Sequence, residues 1–157
     1  MTSKIARVAC VLWLWCLAAV VSASTLVIHE GDAFNRLSLR SHIMALQGST
    51  APTDAEAASR LPDSDYAPLQ GAALGLLQTR WFRFRVHNAS AETRHLVFDF
   101  DQALYSRLAW RSQVGADVRQ FLTGQDFPAS SRDIQYNYLA FRIDVPPGET
   151  LTADFSI

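Results

Sequence analysis

A chain of 157 residues with 14 Lys+Arg against 15 Asp+Glu, 49% hydrophobic and 18% charged, has room for one packed domain and a short appendage. That composition excludes wholesale disorder, and a net charge of −1 with no basic stripe speaks against nucleic acid as a partner. A kinase, a cyclase or a bundle of membrane helices does not fit in this length.

The first 23 residues differ from the rest. Lys4 and Arg7 form a positive start, Val8 to Val21 is an uncharged apolar run, and Val21-Ser22-Ala23 places small residues at the −3 and −1 positions of a cleavage site. This pattern predicts a secretory signal peptide over residues 1–23 and a mature domain over 24–157. The competing reading, a membrane anchor, needs about 20 apolar residues, more than this run supplies. Both cysteines, Cys10 and Cys16, lie inside the run, so the mature domain is expected to have no disulfide, no thiol nucleophile and no Cys-ligated metal. No later apolar run approaches spanning length, which places the expected product in the periplasm.

Thr25 to His29 is short, β-branched and apolar, and reads as an opening strand ended by Gly31 and Asp32. Ile43 to Leu46 is a second short strand. Thr53-Asp54-Ala55-Glu56 has the form of a capping box and opens a helix that Pro62 keeps short. Residues 62–78, with two prolines and two glycines, read as loop with one edge segment.

From Arg80 the period becomes two. Phe82, Phe84 and Val86 alternate with Trp81, Arg83, Arg85 and His87, and Asn88-Ala89-Ser90 ends the strand as a turn. Leu96, Phe98 and Phe100 alternate with Val97, Asp99 and Asp101. A third strand over Leu104 to Arg111 carries Leu108 and Trp110 on one face, Gly115-Ala116 turns into Val118 to Leu122, and a polar loop follows from Thr123 to Asp133. Leu139, Phe141, Ile143 and Val145 form another apolar face, Pro146-Pro147-Gly148 is a turn, and Leu151, Ala153, Phe155 and Ile157 begin a last strand. Alternation in several strands at roughly 10-residue spacing predicts an all-β antiparallel sandwich with one short helix. Phe84, Phe98 and Phe141 are expected in its core.

Signals for catalysis are weak. Asp99 and Asp101 share a strand face about 6.8 Å apart, a spacing that overlaps a glycosidase carboxylate pair, but a solvated outer face explains them more simply. The four histidines show no metal-ligand spacing, and no phosphate-cradling loop is present, so no metal and no cofactor is expected. Signals for binding are stronger. Tyr136 and Tyr138 lie on the outward parity of their strand, and Arg132 ends the long loop; two phenol plates beside a guanidinium suit a sugar or a small anion. Tyr105, Trp110 and Arg83 are further candidate ligand residues, although Trp81 and Trp110 also suit core or edge packing, and Arg83 with Arg85 suits cross-strand pairing with Asp99 and Asp101. Asn88-Ala89-Ser90 matches a glycosylation sequon and also a plain turn.

Trp81-Phe82-Arg83-Phe84 followed by Asn88-Ala89-Ser90 resembles the W-x-R-F…N-x-S opening of the extracellular sensor domain, type 2, of bacterial receptors with seven membrane helices and diverse intracellular signalling modules. The strand at Leu96–Phe100, a strand containing Tyr105, Thr123-Gly124 before Pro128 and Arg132, and the Phe141 strand ending in Pro-Pro-Gly follow in the family's order. The resemblance implies a periplasmic jelly-roll sandwich similar to carbohydrate-binding modules, preceding seven membrane helices and an output domain such as a diguanylate cyclase or a histidine kinase. The strand pattern running to Ile157 gives the expectation that this sequence is the front part of such an architecture. The function expected is a non-catalytic ligand-sensing module for a carbohydrate-like or small anionic ligand, with a membrane signalling partner. The alternative is a periplasmic protein-interaction module without small ligand.

Overall fold

The computed structural model describes residues 25–32, 36–48, 51–69, 79–100, 105–134 and 138–157. The expected signal peptide, Asp101 and Tyr136 lie outside the described residues. The described residues form nine strands and one short α-helix: β1 (Leu26–Ile28), β2 (Met44–Leu46), α1 (Ala55–Ser59), β3 (Tyr66–Pro68), β4 (Trp81–Asn88), β5 (Arg94–Asp99), β6 (Leu108–Val114), β7 (Asp117–Thr123), β8 (Ala140–Val145) and β9 (Thr150–Ser156). The third long strand thus begins at Leu108, later than its alternation suggests, and Tyr105 to Arg107 lead into it.

The larger sheet runs β3-β2-β4-β9-β6-β7. β4 is its spine. Along one edge it pairs antiparallel with β9, from Trp81↔Ser156 to His87↔Thr150; along the other it meets β2 at Phe82 and Arg83, and β1, in parallel, at Val86 to Asn88. The smaller sheet is the antiparallel pair β5-β8, with Phe98 opposite Phe141. The two sheets meet through aromatic side chains. Phe84 on β4 contacts Phe98 on β5 with ring centroids 5.1 Å apart, and Trp110 on β6 stacks on Phe141 of β8 at 4.5 Å. The expected all-β sandwich is what forms, jelly-roll-like, and Phe84, Phe98 and Phe141 are all buried in its core. Period-two alternation places them there because one side of each strand faces the opposite sheet.

Three local features set the ends of elements. Asp54, not Thr53, caps α1: its Oδ1 accepts the Ala57 amide at 2.8 Å, while Thr53 donates its hydroxyl to the other oxygen of Asp54. Glu56 then sits one residue too early to reach back to the cap and turns to Arg60 and Arg111 instead. Pro146 to Glu149 closes β8 onto β9 as a turn with Pro147 second and Gly148 third at φ +74°, the arrangement that needs a glycine. Gly124, at φ +141°, packs so tightly that a Cβ there would stand 2.9 Å from Arg107 Cα and closer still to the Ser106 carbonyl. That contact pins the start of the 123–134 loop against the approach to β6.

Candidate functional site

The outer face of the large sheet is not a solvated cationic surface. Trp81, Arg83 and Arg85 project from it, but α1 and residues 61–66 lie over β4 and β9. Trp81 is buried beside Ala55 and Ala58, and its indole N–H donates to the Pro52 carbonyl at 3.1 Å. The Arg83 side chain is only 3% exposed. Its Nε meets Asp154 at 2.7 Å on the neighbouring strand, Nη1 meets Asp63 at 2.8 Å, Nη2 donates to the Ala58 carbonyl, and the guanidinium lies 4.2 Å from the centre of the Tyr66 ring. Arg85 forms two further bonds to Asp63, at 2.6 and 2.7 Å. The expected pairing of Arg83 and Arg85 with Asp99 and Asp101 is therefore corrected. β5 belongs to the other sheet, and the carboxylates that meet these arginines are Asp63 and Asp154.

The chemistry of this cluster follows from its burial. Hydrogen bonds from Arg85, then from Arg83, hold the Asp63 carboxyl below its ordinary range, whereas burial pushes Asp154 up despite Arg83 beside it. Burial likewise pushes the Tyr66 phenol up to about 12. Asn88 plays a corresponding part at the far end of β4. It is fully buried, donates to the Val145 and Glu92 carbonyls at 2.8 Å each, and accepts from the amide and hydroxyl of Ser90. Its amide thus ties the large sheet to β8, and the Asn88-Ala89-Ser90 sequence is a structural latch whose amide nitrogen already donates to two carbonyls. The W-x-R-F and N-x-S residues hold the sandwich together rather than touching anything outside it.

Among the expected ligand residues, Trp110 has no exposed surface, although it underlies the second of the clefts described below, and the buried Arg83 is held by ion pairs to Asp63 and Asp154. Trp110 fails as a stacking plate because its indole is already stacked on Phe141 in the core. Tyr105 is half-buried against Phe100, with ring centroids 6.2 Å apart, and burial raises its phenol. Tyr138, 37% exposed, and the half-buried Arg132 lie at either end of the segment that leads from the 123–134 loop into β8. Asp99 is exposed on the outer side of β5 and lines neither of the two clefts described next.

The first cleft, about 450 Å³, opens between β7 and β8, directly beside that segment. Asp117 and Arg119 come from β7, Asp133 and Ile134 from the loop, and Arg142 and Asp144 from β8. Asp133 organises it: one oxygen meets Arg119 at 2.7 Å and the other accepts the Arg142 amide at 2.8 Å, while Arg119 also donates to the Arg142 carbonyl. Arg119 lies 5.1 Å from the Phe121 ring centre, which fixes its direction along the strand. Asp144 is held by His95 at 2.7 Å. The wall therefore combines guanidinium donors and carboxylate acceptors with two apolar residues, Ile134 and Ile143. Arg119 and Asp133 escape sequence reading because they are 14 positions apart and meet only when the loop folds back along β7.

The second cleft, about 530 Å³, lies on the outer face of the large sheet between the start of α1 and the β6–β7 edge. Thr53, Asp54, Trp81, Arg107, Gln120 and Leu122 are among its lining residues. Its polar groups are largely engaged: Asp54 caps the helix and Gln120 donates to Glu56 at 3.2 Å. Trp81 is 4% exposed and offers no ring face.

Among the described residues no helix is long and apolar enough to cross a membrane. A family model described as 7TMR-DISM extracellular 2 matches residues 42–156, which takes in α1 and every strand from β2 to β9. No curated protein and no solved structure matches the chain.

Proposed function

The chain belongs to the 7TMR-DISM extracellular 2 family, an extracellular sensor domain of receptors with seven membrane helices, and from that premise we propose that it senses a neutral, hydroxyl-rich, sugar-like ligand in the cleft between β7 and β8, without catalysing a reaction. The observation that carries this reading is the wall of that cleft, where Arg119 and Arg142 stand among Asp117, Asp133 and Asp144. A small anion would meet three carboxylates against two guanidiniums. A polyol meets donors and acceptors in alternation, and each hydroxyl can use both. Tyr138 and Arg132, at the ends of the adjoining segment, supply a ring face and a further donor that a sugar needs. The site is open and shallow, so affinities of about micromolar to millimolar are expected.

This reading is preferred to an interaction module that takes no small ligand. Of the large exposed hydrophobics among the described residues, Val118 and Leu122 share β7, while Val27, Leu37 and Val97 lie on other segments. Export by the residue 1–23 leader completes the proposal; N-terminal sequencing of periplasmic material should read Ser24 first, and an intact Met1 in the membrane fraction would refute it.

The ligand test is a thermal-shift screen of neutral oligosaccharides, followed by titration of any hit against variants. Arg142→Ala and Tyr138→Ala should each weaken binding about tenfold or more, while Arg107→Ala in the other cleft should leave it unchanged. A hit lost in Arg107→Ala and retained in Arg142→Ala would move the site to the outer face and overturn the assignment.

A further inference from the structure

Among the described residues the two sheets are unequal: seven strands in one, two in the other. A two-stranded sheet has two open edges, and this one treats them differently. Phe100 donates its amide to the Leu139 carbonyl at 3.0 Å, so in the antiparallel ladder residues 94, 96, 98 and 100 turn their backbone groups toward β8, and 95, 97 and 99 turn theirs away. The same alternation points the backbone of Arg142, the residue opposite Val97, away from β5. On that β8 edge both groups are capped by side chains, the amide by Asp133 and the carbonyl by Arg119. On the β5 edge no bond caps the amides or carbonyls of His95 and Val97 among the described residues. Val97 is also 57% exposed, the most exposed of the large hydrophobics there.

We propose that the open edge of β5 pairs with the same edge of a second copy of this chain, in an antiparallel ladder centred on Val97. The strand is self-complementary in that register. Val97 faces Val97 of the second copy, His95 faces Asp99, and Asp99 faces His95, with Leu96 and Phe98 opposite one another on the inner side. All three of the facing pairs fall on residues whose backbone groups point outward, so each forms a hydrogen-bonded pair. The parity also matches: inner faces meet inner faces, and the two small sheets fuse into one of four strands, β8-β5-β5-β8. On the outer side each imidazole already meets Asp144 through Nδ1, 2.7 Å away, and lies opposite Asp99 of the second copy. The strand carries neither lysine nor proline, and among the described residues no side chain caps the backbone of His95 or Val97. A six-residue ladder is small beside the roughly 1,600 Å² of a standard interface, so association in dilute solution is weak and rises with local concentration, as on a membrane-tethered receptor.

The test uses the full chain with Cys10→Ser and Cys16→Ser, which leaves any added cysteine as the only thiol. Facing residues of a hydrogen-bonded pair have Cα atoms about 5.5 Å apart, inside the range a disulfide spans. Under mild oxidation at tens of micromolar, Val97→Cys should form covalent dimer at least tenfold faster than Val118→Cys, an exposed position on β7. Val97→Pro removes an amide that points away from β8, so it should keep the parent's melting temperature and lose its concentration-dependent sedimentation. Equal cross-linking at the two positions, or a Val97→Pro chain that associates as the parent does, would overturn the proposal.

Discussion

A guanidinium with almost no contact with water must find its counter-charge inside the protein, because an unpaired buried charge costs several kcal/mol. Arg83 finds Asp154 on one side and Asp63 on the other, and the carbonyls of Ala58, Ser59 and Leu61 take its remaining donors. Asp154 is itself 1% exposed and faces Arg83 and Arg111 across its two neighbouring strands. Asp154→Asn should therefore destabilise the domain by about 3–5 kcal/mol, most of it the penalty of stranding Arg83. That is a large fraction of the roughly 5–15 kcal/mol that holds a domain folded. Urea unfolding followed by tryptophan fluorescence measures it, and a loss under 1 kcal/mol would mean that Arg83 reaches solvent. None of this is legible in the sequence. A cation alternating with Phe82 and Phe84 reads as the wet side of a half-buried strand, and its partners lie 20 and 71 positions away.

At the scale of elements, residues 61–66 act as a strap across the outer face of β4, fastened mainly by Asp63. Because Arg85 and Arg83 hold the Asp63 carboxyl below its ordinary value of 3.8, the strap's ion pairs add stability that is fully present above that value and is lost as the pH falls through the lowered one. Half of the Asp63 side chain is exposed, so solvent screening limits the contribution to about 1 kcal/mol. Asp63→Asn should lower the melting temperature by about 3 °C at pH 7, and the gap to the parent should close as the pH is taken from about 5 to 2. A gap that stays constant or widens in acid would show that Asp63 fastens nothing. The strands themselves were the most readable elements, since period-two alternation marks an inner face wherever it occurs. The helix cap was readable to within one residue: Thr53 and Asp54 both carry a capping oxygen, and only the backbone decides that Asp54 sits at the boundary. Sheet membership was not readable, because alternation says which side of a strand is buried and not which strand lies beside it.

On the scale of the whole molecule, the residues that carry the family resemblance and the residues proposed to bind occupy different places. Trp81, Arg83 and Asn88 fasten the strap, the large sheet and the sheet-to-sheet latch. The cleft between β7 and β8 is built from Arg119, Asp133 and Arg142, none of which belongs to that motif. Such a division suits a sensor: a scaffold fixed by buried polar contacts, and a rim of loop and edge-strand side chains that can change with the ligand. Arg132 and Tyr138, singled out in the sequence, bound the segment beside this cleft, whereas its centre was not legible, because Asp133 joins it only by bridging two strands from different sheets. The central claim, a sugar-like ligand held between β7 and β8, is tested most directly by amide chemical shifts during titration with a neutral oligosaccharide taken from the thermal-shift screen. The amides of Asp117, Arg119, Asp133, Ile134, Arg142 and Asp144 should shift and saturate. Shifts confined to Thr53, Arg107, Gln120 and Leu122, or none at saturating ligand, would contradict it.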